Sequence, residues 1–191
     1  MTMAKLFYVM GASGVGKDSL LKYVRDNIAE DISLVFAHRY ITRPYDAGGE
    51  NHIALSEREF SERHRQACFS MSWQSHGNSY GIGNEINTWL KSGLNVVVNG
   101  SRSYFPQAAQ QYNNIIPILV CADKAHLEAR LTKRGRETPL QIQKRLHQSD
   151  MYQHPIKHPE LVHIHNNGTV AEAGHALREV FTSTYTQCEV T

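Results

Sequence analysis

An α/β protein built on a doubly wound, five-stranded parallel sheet is the fold class the sequence predicts, and three features predict it. Five short apolar runs, LFYVM (6–10), LVFA (34–37), NVVV (95–98), IIPILV (115–120) and LVHI (161–164), recur along the chain. Each is continuous rather than alternating, the pattern of a strand covered on both faces. Segments of helical character at 19–28, 104–112, 124–134, 139–152 and 170–181 fall between and after them, and strands that alternate with helices build parallel sheets. Finally, the first run passes directly into a glycine-rich turn and then a helix.

The bulk composition sets limits. At 191 residues, 41% hydrophobic and 20% charged, the chain is expected to form one globular domain with a substantial core. A formal net charge of +2 is too mild to argue for a nucleic-acid partner. The opening MTMAKLFYVM holds one Lys and a five-residue apolar run, too short for a signal peptide or a membrane span, so a cytoplasmic protein without a membrane partner is expected. Cys68, Cys121 and Cys188 are widely spaced and odd in number, which favours reduced thiols. His154, His158, His163 and His165 crowd one tract, but two prolines and a loop-to-strand transition keep them off a single helical face, and no zinc site is expected. A homo-oligomer is left open.

Two regions interrupt the strand–helix alternation. From about 43 to 83 the chain carries Gly48-Gly49, a capping-box start at Ser56 with Glu59 three residues on, and the runs CFSMSW and SYGI around an HGN turn. This reads as a small inserted α+β substrate subdomain. The segment RLTKRGRETPLQIQKRL places Arg130, Arg134, Arg136 and Arg145 around a Gly and a Pro, which reads as a helical hairpin with a basic tip, a lid near 130–145.

The chemistry begins at GASGVGKDSL (11–20). The pattern G-x-x-x-x-G-K-[ST] is a phosphate-binding loop, and Gly11, Ala12, Ser13, Gly14, Val15, Gly16 and Lys17 satisfy it, between a strand and a helix as the motif requires. Glycines let backbone N–H groups turn toward an anion, the helix N-terminus favours it, and Lys17 bridges the terminal phosphates. The hydroxyl expected next is replaced by Asp18, with Ser19 following. An acid there either meets a Mg²⁺ ion, which prefers hard oxygen ligands, or merely suits the helix N-terminus while Ser19 serves the metal. Near the other end, HNNG (165–168) opens the last helix. Asn166 there is a candidate for the base of a bound nucleotide, and the same residues are also good turn and cap chemistry.

The loop, ITRPYDAGGENH, HGNSYGIG and LEARLTKRGRE together, in that order, resemble the guanylate kinase superfamily from about residue 5 to residue 181. The resemblance implies a P-loop kinase using ATP and Mg²⁺, with Arg43 and Tyr80 holding the phosphate of the acceptor. Phosphoryl transfer develops charge on the transferred oxygens, and Lys17 with the lid arginines Arg134, Arg136 and Arg145 are the catalytic candidates to neutralise it, the alternative for the arginines being an ordinary solvated helix face. The family pattern also has an Arg three residues after Arg43, where this chain has Asp46.

The remaining departures concern base recognition. Guanylate kinases hold guanine with a Glu before the GN turn and an Asp after the next core strand, whereas the matching stretches here read SMSW and NVVVNGSR and contain no acid. Losing both partners should abolish guanine preference. Glu50, Asn51, His52, Asn99 and Ser101 suit sugar hydroxyls instead, and Arg102 suits a further phosphate. The combination resembles those members of the superfamily that act on a sugar bisphosphate, converting ribose 1,5-bisphosphate and ATP to 5-phosphoribosyl 1-diphosphate in phosphonate catabolism. A nucleoside monophosphate kinase is the first rival, and it leaves the missing acids unexplained. A non-catalytic guanylate-kinase-like binding module is the second, and it has no need of Lys17 or the lid arginines.

Overall fold

A computed structural model describes residues 3–30, 32–47, 50–135, 138–151 and 156–183. In chain order its elements are β1 (Leu6–Gly11), α1 (Lys17–Asn27), β2 (Leu34–Phe36), β3 (Arg39–Ile41), β4 (His52–Ala54), α2 (Glu57–Arg65), β5 (Phe69–Ser75), β6 (Asn78–Gly83), α3 (Glu85–Lys91), β7 (Asn95–Asn99), α4 (Phe105–Gln111), β8 (Ile115–Cys121), α5 (Lys124–Arg134), α6 (Pro139–Met151), β9 (Val162–His165) and α7 (Val170–Ser183). The five apolar runs are the strands of the parallel sheet, in the order β2-β7-β1-β8-β9. Leu6 to Met10 of β1 are all fully buried, which is why this strand reads as a continuous apolar run.

By its internal contacts the chain divides into two compact units, 1–8 with 29–116 and 9–28 with 117–191. The first unit contains a four-stranded sheet of order β4-β3-β6-β5. Its hairpin, β5 to β6, closes through His76 and Gly77 at φ 49° and 76°, two successive left-handed residues whose twist matches that of the flanking strands. Ser56 caps α2, its hydroxyl accepting the Glu59 N–H at 3.1 Å, the bond that the capping box anticipates. β3 pairs with β4 in parallel and with β6 antiparallel, so Arg39, Tyr40 and Ile41 lie in the interior of this sheet. Neither β3 nor β4 nor α3 is anticipated by the sequence. Each strand is three residues long and exists by pairing rather than by an apolar run of its own, and α3 buries only Ile86.

In the second unit α1 packs on α7, with the Tyr23 ring lying on Gly174 and edge-on to His175 at 5.5 Å. α5 runs over 124–134 as the sequence predicts and ends at Gly135 in the left-handed conformation, the usual device for stopping a helix. α5 and α6 pair through buried Leu127, Leu131, Ile142 and Leu146, against which Ala12 of the glycine-rich loop packs. Arg136 lies outside the described residues. Arg134 and Arg145 are described as backbone positions of α5 and α6 only.

Candidate functional site

The phosphate loop is built by the second unit. β1 ends at Gly11, and Gly14 and Gly16 take φ values of 86° and 99°, a backbone shape that side chains with a Cβ resist. Gly16 is doubly constrained, because a Cβ there would collide with the Asn166 amide. Val15 between them is buried and its backbone N–H donates to the Ala12 carbonyl at 3.3 Å. Lys17 is the first residue of α1, and its Nζ donates to the carbonyls of Gly11 at 2.9 Å and Ala12 at 3.2 Å. The ammonium therefore lies over the loop, where it and the helix N-terminus give one local positive field. Asp18 and Ser19 follow in the first turn, both exposed.

Asn166 is the residue that holds this loop from behind. Only 2% exposed, it donates from Nδ2 to the Val15 carbonyl at 2.8 Å, and its backbone N–H donates to the Cys121 carbonyl at 2.8 Å. Its Oδ1 accepts from Arg130 Nη2 at 3.4 Å, while Arg130 Nη1 donates to the same Val15 carbonyl at 3.4 Å. The side chain on which sequence reasoning placed a nucleotide base is thus engaged by the loop itself. Neighbouring Asn167 caps the start of α5, accepting the Asp123 N–H at 2.8 Å.

The acceptor candidates lie in the first unit. Glu50 is central: its carboxylate takes the Arg39 Nε on one oxygen and the Arg43 Nη2, at 3.3 Å, on the other. All three side chains are largely buried, Glu50 to 9% exposure, Arg39 to 12% and Arg43 to 25%. Arg39 also lies over the Tyr80 ring at 5.4 Å, and Tyr80 stacks parallel to Trp73 with centroids 5.6 Å apart. Tyr104 sits against the same indole at 5.7 Å. The result is a cationic pair backed by an aromatic wall.

Of the other predicted acceptor residues, His52 is buried with Nδ1 3.1 Å from the Glu50 carbonyl and Nε2 3.2 Å from the Arg43 carbonyl. It ties the ends of the 43–50 segment together. Asn51 is exposed and its amide donates to His38 Nε2 at 2.9 Å. Asn99 ends β7 in a buried position, and Arg102 is half-buried. Ser101 is held by Tyr8, whose hydroxyl donates to the Ser101 carbonyl at 2.8 Å and accepts its N–H at 3.0 Å. Burial pushes the Tyr8 hydroxyl far above its ordinary pKa, with the Ser101 backbone bond opposing, so it stays protonated at any working pH. Arg39, Trp73 and Tyr104 are the residues that sequence reasoning missed. No local signal marks Arg39, which stands on a three-residue strand made by pairing.

No protein-family model matches the chain. Over 175 residues it is 50% identical to the ribose 1,5-bisphosphate phosphokinase PhnN of Desulfomicrobium baculatum, a span covering 92% of each protein. Over 173 residues it is 49% identical to the protein of the same name from Psychromonas ingrahamii, covering 91% of this chain and 87% of that one. Among solved structures, a guanylate kinase from Anaplasma phagocytophilum superposes with a TM-score of 0.66 over 99% of this chain and 89% of its own, at 13% identity. At that identity the likeness is one of fold.

Proposed function

The chain belongs to the ribose 1,5-bisphosphate phosphokinase family, and from that premise we propose that it transfers the γ-phosphoryl group of ATP to the anomeric phosphate of ribose 1,5-bisphosphate, yielding 5-phosphoribosyl 1-diphosphate and ADP. One oxygen of the 1-phosphate forms the new bond to phosphorus as the bond to the ADP oxygen breaks, and the electron pair leaves with ADP. A phosphate monoester is already largely dianionic near neutrality, its second pKa being about 6. No general base is therefore needed, and the work left to the protein is alignment and charge neutralisation. The observation that carries the reading is the Arg39–Glu50–Arg43 cluster, an anion site in a chain whose SMSW and NVVVNGSR stretches lack the acids that would hold guanine.

In this reading Lys17 and the amides of residues 11–16 hold the β- and γ-phosphates, with Lys17 following the charge into the transition state. Asn166 and Arg130 serve ATP indirectly by fixing the Val15 carbonyl, and with it the loop. Arg134, Arg136 and Arg145, on the lid near 130–145, neutralise the transferring group. Arg43 and Tyr80 hold an acceptor phosphate, Asn51, Asn99 and Ser101 face sugar hydroxyls, and Arg102 takes the second phosphate. The acceptor subdomain spans about 43–83 within one kinase domain.

Asp18 and Ser19 offer a carboxylate and a hydroxyl, the hard oxygen donors that Mg²⁺ accepts alongside phosphate and water, and they are the residues that would hold it. When bound, the ion neutralises charge on the β- and γ-phosphates. No described helix is long and apolar enough to cross a membrane, and we place the protein in the cytoplasm. The test is product identity by ³¹P NMR: incubation with ATP and ribose 1,5-bisphosphate should produce two new coupled resonances of a C1 diphosphate. Appearance of ADP with free phosphate instead would reduce the activity to ATP hydrolysis.

A further inference from the structure

We propose that Arg39 is a second phosphate-holding residue of the acceptor site and that Glu50 is a positioning residue, holding Arg39 and Arg43 as one two-pronged anion cradle rather than contacting a sugar hydroxyl. The inference rests on the reading of this region as the phosphoryl-acceptor site. Its ligand class is a terminal phosphate monoester.

Four observations carry it. Arg39 stands on β3, in register with His52 of β4 and Ile82 of β6, so its backbone is fixed by pairing on both sides. Its guanidinium is fixed as well, by Nε on Glu50 and by the Tyr80 face at 5.4 Å. A planar fork locked in this way is suited to bidentate recognition of a phosphate. Then the charges: one carboxylate lies between two guanidinium groups at low exposure, so an arriving anion meets a pair of cations set side by side. The Nε of Arg43 is also buried without a hydrogen-bond partner, a donor in wait of an acceptor.

Glu50 turns its carboxylate to the arginines. Its two oxygens are engaged one to each arginine, and its backbone carbonyl is tied to His52. Removing its charge should free both forks at once.

The experiment is an NMR titration of the full chain, its loop site saturated with a non-hydrolysable ATP analogue, against ribose 5-phosphate and separately against methyl phosphate, a monoester without a sugar. Arg39→Ala should weaken both ligands at least tenfold, and Arg39→Lys, which keeps the charge and loses the fork, at least threefold. Unchanged affinity in either variant overturns the role of Arg39. Glu50→Gln should weaken both ligands in parallel, and steady-state rates should show a raised acceptor KM with kcat and the KM for ATP within about twofold of the parent. Loss of ribose 5-phosphate with methyl phosphate retained would return Glu50 to direct hydroxyl contact and overturn its positioning role. The functional reading fails separately: a parent protein that does not turn over ribose 1,5-bisphosphate refutes that reading, while methyl phosphate binding still reports on the cradle.

Discussion

The phosphate loop and the acceptor cluster both present positive charge, but they are made of different material. In the loop the groups assigned to phosphate under the proposed function belong to consecutive residues, 11–17, and their backbone conformation is imposed by Gly14 and Gly16. In the acceptor cluster the groups are side chains at 39, 43, 50 and 80, brought together by the strands β3 and β6 and the 43–50 segment. A backbone cradle tolerates change at its side chains apart from Lys17, whereas a side-chain cradle depends on every member and on the residues that orient them. A cradle of the first kind would suit the phosphates shared by all nucleoside triphosphates, and one of the second kind could be retuned from one acceptor to another by a few substitutions.

The sharpest way to break this contrast is Lys17→Ala. It removes the one loop side chain assigned to the reaction and should lower kcat about 10²- to 10³-fold, by analogy with loss of a single preorganised charge-stabilising donor, while circular dichroism shows an unchanged fold. A loss of less than tenfold would leave the loop working through its backbone alone.

Arg43→Ala addresses the other region. Loss of charge-assisted hydrogen bonds, each worth roughly 1.5–3 kcal/mol, should raise the KM for the acceptor about 10- to 100-fold and leave ATP titrations of the variant unaltered. A matching loss of ATP affinity would move Arg43 to the donor side.

Asn166→Ala tests whether the loop needs support from outside its motif. The Val15 carbonyl loses its 2.8 Å partner in a buried setting, so chemical denaturation should report a loss of about 1–3 kcal/mol. ATP affinity should fall several-fold with acceptor affinity untouched. If stability holds while ATP affinity drops, Asn166 contacts the nucleotide itself.

The smallest effect on stability is expected at Asp18. Asp18→Asn should raise the Mg²⁺ concentration for half-maximal activity about tenfold, corresponding to about 1.4 kcal/mol, with stability altered by no more than the roughly 0.3–1 kcal/mol of a helix-end charge. An unaltered magnesium requirement assigns Asp18 to the helix end and the metal to Ser19.

The same contrast explains what could be read in advance. The loop, the capping box at Ser56 and the span of α5 are local patterns, in which neighbours in sequence are neighbours in space, and they are legible for that reason. β3 and β4 are three residues each and owe their extended form to partners far along the chain, so HRYI and NHIA carried no signal strong enough to call a strand. Arg39 was missed with its strand. Glu50 was read from its type as a sugar contact, and its meeting with Arg39 and Arg43 was not legible, because a carboxylate among polar residues reads alike whether it meets a hydroxyl or an arginine. Asn166 is similar: its type suited a base edge, and only the fold reveals Val15 and Arg130 as its partners.

The central claim is that this side-chain cradle selects a sugar bisphosphate. It is tested most directly by a coupled assay of ADP release at saturating ATP, run in parallel with ribose 1,5-bisphosphate, ribose 5-phosphate, AMP and GMP. The account predicts that ribose 1,5-bisphosphate has the highest kcat/KM, with GMP at least about 10³-fold lower, the scale expected where a site lacks the partners of a base's hydrogen bonds. A kcat/KM for GMP equal to or above that for ribose 1,5-bisphosphate would contradict it.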